Sequence, residues 1–128
     1  MITVAALFEI VELSPSGPIR WGEPVGERGS GVYVVVQEPA DEIIYIGRAT
    51  SIGKRIKQFY SHEYGAKAPH RGGQEILLLT KPRSIYWAPT INFQFVESQM
   101  IATFREREGK LPYGNKKKGD RLLTDKPN

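Results

Sequence analysis

Cysteine is missing from all 128 residues. Its absence excludes disulfides, thiolate metal centres and cysteine nucleophiles, and it fits a reducing compartment. Histidine is scarce, and neither His62 nor His70 has the neighbours a metal site needs. Long apolar runs are absent too, since none approaches the ~20 residues that span a bilayer. The opening MITVAALFEIVEL has no basic leader and carries Glu9 and Glu12, unlike a signal peptide. The expectation is a soluble, cytoplasmic protein with no membrane partner. Internal repeats are missing, as are a P-loop, a dinucleotide fingerprint, a nucleophile elbow and a zinc pattern.

What the chain does have is enough apolar content, 40%, for one core, and a length that suits one compact domain. Its net charge is +4, unevenly spread. Residues 1–42 hold two basic and seven acidic side chains, whereas residues 43–83 hold eight basic and two acidic. A patch of one sign attracts polyanions, nucleic acid first among them. Charge alone fits a solvated face of ordinary lysines equally well.

The central stretch is Gly31 to Tyr60, GVYVVVQEPADEIIYIGRATSIGKRIKQFY. Val32, Val34 and Val36 alternate with Tyr33 and Val35 in a β-branched run, which predicts a strand. Glu38 to Glu42 breaks it with a turn containing Pro39, and Ile43 to Ile46 predicts the returning strand of a hairpin, ended by Gly47. Ser51 can cap a helix from Ile52 to about His62, with Ile52, Ile56, Phe59 and Tyr60 on one face. Arg55 lies beside that stripe, while Lys54 and Lys57 should point outward. Upstream, Ile2 to Leu13 is apolar and suits an edge strand or a short helix. Ser14 to Gly31 is rich in Gly, Pro and Ser and reads as a loop, with Trp21 as a lid over the core. Downstream come a flexible basic loop (63–73), a short helical element from Gln74 to Leu79 and a third strand from Ser84 to Ala88. Asn92 can cap a second long helix burying Phe93, Val96, Met100, Ile101 and Phe104, and Gly109 stops it. Glu97 lies beside that apolar stripe. The tail beyond is polar and irregular.

Gly31-Val32-Tyr33, eleven residues, then Tyr45-Ile46-Gly47 resembles the signature of the GIY-YIG nucleases. Further features line up in order. Arg48 follows the second triplet, where the family often has a basic residue. Arg55 lies ten residues after Tyr45, matching the family's catalytic arginine. Glu97 matches its metal-binding glutamate, and Asn115 the asparagine that closes the domain. The resemblance covers about residues 31–117, leaving residues 1–30 as an N-terminal extension and loop packing on the domain and 118–128 as a polar tail. The first triplet carries Val in place of Ile. Phe59 stands where many members have His or Tyr, so Tyr60, His62 and His70 are candidates for a further polar group.

The resemblance implies an α/β (α+β) domain, a small central antiparallel sheet of three or more strands flanked by helices. It implies a metal-dependent endonuclease cutting nucleic acid, DNA in preference to RNA, with one divalent cation, Mg²⁺ or Mn²⁺. The chemistry suits the residues. A single carboxylate, Glu97, can hold a hard cation that keeps its waters and takes a phosphate oxygen. Arg55 stays charged and pairs with phosphate through its planar fork. A nearby cation and Arg55 should favour phenolate on a tyrosine, and the resemblance implies that one of Tyr33 and Tyr45 is the general base while the other positions it or the phosphate. Phosphate contacts are expected from Arg48, Lys54, Lys57, Asn115, Lys116 and Lys117. His70 and Arg71 either grip a phosphate or belong to a plain surface loop. Gly31 and Gly47 are strand-end glycines that would also let the backbone approach substrate. Taken singly, strand tyrosines are packing residues, a helix arginine is solvated and Glu97 is exposed or paired with Arg55. The chain has no room for a separate recognition domain, so a protein partner or a homodimer would be a source of specificity. The alternative is a non-cleaving nucleic-acid-binding module on the same fold.

Overall fold

A computed structural model describes residues 1–61 and 81–115. Along the chain these form α1 (Val4–Ile10), β1 (Ser16–Arg20), β2 (Gly31–Gln37), β3 (Glu42–Ala49), α2 (Ile52–Ser61), β4 (Arg83–Pro89) and α3 (Phe93–Glu108), then a 3₁₀ turn at Tyr113–Asn115. The four strands make one antiparallel sheet in the order β1-β4-β2-β3. The class is therefore α+β, with helices on both faces of a small antiparallel sheet. No helix among the described residues is long and apolar enough to cross a membrane.

β2 lies inside the sheet and is buried on both faces, as its near-continuous apolar run requires. Its side chains alternate. Val32, Val34 and Val36 join a core with Leu7 and Phe8 of α1 and Val96, Met100 and Phe104 of α3. Tyr33 and Val35 face the opposite core with Ile52, Ile56 and Phe59 of α2. The helical stripes read from the sequence are thus the ones that pack.

Three readings change or resolve. The open choice at Ile2 to Leu13 resolves as a helix, capped by the Thr3 hydroxyl, which accepts from the Ala6 N–H at 3.1 Å. The loop assigned to residues 14–31 contains β1, which pairs with β4. Its Ser-Gly-Pro sequence hid it, because Gly and Pro read as punctuation. On an edge strand with an irregular register they are tolerated. Asn92 does sit at the N-cap position of α3, but its side chain makes no capping bond. At the other end Gly109 takes the left-handed conformation (φ 74°), and its N–H donates to Arg105 O. The element expected at Gln74–Leu79 lies outside the described residues.

One irregularity lies beside the tyrosines. The β2–β3 register slips between Val35 and Val36, so that Val35 faces Tyr45 while Val36 faces Ile43. Ile44 is the extra residue of this bulge. Ile44 and Tyr45 consequently both face the α2 side, where strict alternation would have put one on each face. Tyr45 shares the face of Tyr33 through the regular pairs Tyr33–Gly47 and Val35–Tyr45, and beyond it the bulge returns Ile43 to the other core.

Candidate active site

Tyr33 stands at mid-sheet, opposite Gly47 on β3 and Trp87 on β4. The Gly47 pairing makes the site possible. A Cβ on Gly47 would come within 2.5 Å of Tyr33 Cζ, 2.6 Å of its Oη and 2.8 Å of Tyr45 Cε2. Glycine here leaves the space into which the phenol ends fit. Gly31 is likewise closed in, because a Cβ would meet Ala88 O at 2.2 Å and Ile52 Cδ1 at 2.6 Å. On the side where a side chain would project, both glycines face protein atoms, and their smallness serves packing there.

The two rings lie 6.0 Å apart, tilted by 46°. Phe59 of α2 meets Tyr45 edge-on at 5.5 Å, and Trp21 meets Phe59 edge-on at 5.1 Å. This aromatic row holds the Tyr45 ring in place. Trp21 serves as the expected lid over α2. Tyr33 is fully buried and Tyr45 is 9% exposed. Among the described residues the Tyr33 hydroxyl has no hydrogen-bond partner of good geometry. The two phenols are near enough to influence each other without being aligned as a hydrogen bond.

Burial dominates their acidity. It pushes Tyr33 well above the usual phenol range, with the Tyr45 phenol adding to the rise and Arg55 opposing it. Tyr45 is pushed up to about 12, first by burial and then by the negative charge of Glu97, against Arg55 and Arg48. The expectation that the surroundings favour phenolate is therefore not met by the protein's own cations. Desolvation of the charged form outweighs them, and both phenols are neutral in the resting protein.

Arg55 and Glu97, on α2 and α3, both act electrostatically on Tyr33 and on Tyr45. Glu97 is only 15% exposed at its side chain, and burial pushes its carboxyl above the ordinary range. Its Oε1 accepts from Arg48 Nη1 at 3.1 Å. Among the described residues the ion-pair partner is thus Arg48 of β3, whereas Glu97 taken singly reads as an exposed position or a pair with Arg55. The role of Arg48 as a carboxylate partner was not legible, because the pairing joins residues 49 positions apart.

Asn115 is held by its amide. Ile46 N–H donates to Asn115 Oδ1, and Asn115 Nδ2 donates to Ile46 O, both at 2.8 Å. The side chain thus supplies a one-residue substitute for a neighbouring strand along the outer edge of β3. The Tyr60 hydroxyl donates to Glu23 O at 2.8 Å and ties α2 to the segment before β2. Lys54 and Lys57 are exposed on the outer face of α2, as expected. His62, His70, Arg71, Lys116 and Lys117 lie outside the described residues. A separate cleft of about 390 Å³, whose lining includes Arg20, Trp21, Lys81 and Arg83, lies at the β1–β4 end of the sheet and shares none of these tyrosines.

Among the described residues, no group of three His, Cys, Asp or Glu could hold a metal by itself. A half-buried carboxylate whose charge reaches both phenols fits a different donor set, a hard cation taking one protein oxygen and completing its shell with water and phosphate. The residues present fit that group through Glu97. No protein-family profile, curated protein or solved structure was found to match this chain.

Proposed function

We propose that the chain is a metal-dependent endonuclease of the GIY-YIG type, hydrolysing nucleic-acid phosphodiesters, DNA in preference to RNA. The observation that supports this reading most is convergence. Tyr33, Tyr45, Arg55 and Glu97 are the positions that match the family's motif, and they come from four elements, with Arg55 and Glu97 both acting electrostatically on the two tyrosines. Unrelated packing tyrosines, a solvated arginine and a surface glutamate would have no reason to meet.

The chain's own groups divide the work. Arg55 supplies a permanent charge and a planar fork for the phosphoryl oxygens. Tyr45 is the phenol with some exposure, so it is the one to touch the attacking water. As a neutral group its oxygen accepts a hydrogen bond from that water and orients it. To take the proton it must be phenolate, which Arg55 and Arg48 favour and burial opposes. Tyr33, fully buried behind it, is a positioning residue. Bound at Glu97, Mg²⁺ or Mn²⁺ would polarise the phosphate and stabilise the leaving oxygen.

One observation favours the rival reading of a non-cleaving binding module, since Glu97 already has a cationic partner in Arg48. Divalent-ion dependence separates the two. Pure protein is incubated with supercoiled plasmid and with branched and flapped DNAs, with Mg²⁺ or Mn²⁺ and with chelator. Nicking that requires the ion, and that Glu97→Ala and Arg55→Ala each reduce by about 10²-fold or more, is the expected outcome. Binding without cleavage in every condition supports the module instead.

A further inference from the structure

We infer that Arg48 is the resident counter-cation of Glu97 and competes with the divalent ion for it, so that ion binding releases the Arg48 guanidinium to nucleic-acid phosphate. The inference rests on the nuclease reading and adds an exchange to it.

The two partners are unequal. The Glu97 side chain is 15% exposed and set in α3, whereas the Arg48 side chain is 46% exposed and reaches it from edge strand β3. A carboxylate so far removed from water needs a cation close by, and Arg48 supplies one at 3.1 Å. A divalent ion placed on the same carboxylate would stand within a few ångströms of that guanidinium. Like charges at such range repel strongly in a partly desolvated site. Glu97, the buried partner, keeps its place. Arg48, long and half in water, is the group that can leave, and it regains side-chain freedom when it does.

Once off the carboxylate, the Arg48 fork suits a phosphate oxygen pair. The ion pair therefore acts as a placeholder. In the ion-free protein it neutralises Glu97 and keeps Arg48 from gripping phosphate. In the ion-loaded protein the same arginine joins Arg55 on the substrate. The exchange makes ion and nucleic acid help each other to bind, as linkage requires of any ligand that frees a group the other uses.

The test reads ion binding rather than cleavage. Mn²⁺ alone is titrated into the full chain without nucleic acid, and free Mn²⁺ is followed by electron paramagnetic resonance. Arg48→Ala and Arg48→Gln are each expected to tighten Mn²⁺ binding by about three- to tenfold, and Glu97→Gln to abolish it in either background. Equal affinity in wild type and both Arg48 variants, with Glu97 still required, overturns the exchange and leaves the nuclease reading standing. Absence of Glu97-dependent Mn²⁺ binding in every variant removes the single-ion reading itself. In chelator, fluorescence anisotropy with a labelled duplex should change by less than about twofold on Arg48→Ala, because Glu97 holds the guanidinium. A loss above about fivefold there would place Arg48 on phosphate without the ion and overturn the exchange.

Discussion

A buried phenol without a well-formed hydrogen bond is costly, and among the described residues Tyr33 carries one at the centre of the sheet. Stability alone would select phenylalanine there. Tyr33→Phe should accordingly leave folding stability unchanged or raise it by at most about 1–3 kcal/mol, while cleavage falls. Calorimetry beside the plasmid assay checks this, and a destabilised Tyr33→Phe would mean that the hydroxyl serves the fold. Gly47 is the complementary case. Any side chain there strikes both phenols, so Gly47→Ala should cost about 1–3 kcal/mol in urea denaturation and reduce activity together. A neutral Gly47→Ala would show that the rings can withdraw and that their placement is loose.

Elements meet at the edge of β3. Among the described residues the strand ends the sheet, and its Ile46 backbone groups face no further strand. Asn115 closes that edge with paired 2.8 Å bonds from the turn that follows α3. Asn115→Ala leaves one N–H and one C=O without protein partners and should destabilise the domain by about 1–2 kcal/mol. Asn115→Asp keeps the acceptor for Ile46 N–H but loses the donor to Ile46 O, so it should recover only part of that loss. Full stability in Asn115→Ala would mean that water replaces the amide without cost. The bulge at Ile44 is the other device at this scale. It lets Ile44 join Tyr45 on the α2 face while Ile43 enters the opposite core.

At the scale of the whole molecule the buried phenols govern the alkaline limit. An unfolded tyrosine titrates near ~10, while Tyr45 in the folded chain is pushed up to about 12 and Tyr33 is also raised. Below the unfolded value both states keep the proton and nothing changes. As pH rises from about 10 through about 12, the unfolded chain releases protons that the folded chain retains, so folding stability falls. Melting temperatures at pH 9 and pH 11 should therefore drop more steeply for wild type than for the Tyr33→Phe, Tyr45→Phe double variant. Parallel slopes would show that the phenols are less buried than the sheet implies.

By itself, the sequence determined the helix with Arg55, the helix with Glu97 and a hairpin of Val32–Val36 with Ile43–Ile46, whose second strand runs past the expected stop at Gly47 to Ala49. Each is specified by short-range periodicity in β-branched or apolar residues, which acts along the chain and needs no distant partner. The ordered set Tyr33, Tyr45, Arg55 and Glu97 was legible only through its resemblance to a family motif. Tertiary structure alone decided the rest. The strand at Ser16–Arg20 exists because β4 offers it an edge, not because Ser-Gly-Pro favours extension. The Ile44 bulge exists because two cores must both be filled. Arg48 turns to Glu97, and Asn115 to Ile46, because folding brings together groups 49 and 69 positions apart whose desolvation then demands a partner. The acidity of the phenols also belongs to that level. Spacing can place a cation beside a tyrosine, but only the packed core sets how much water the phenolate would lose, and here that loss outweighs the nearby charges.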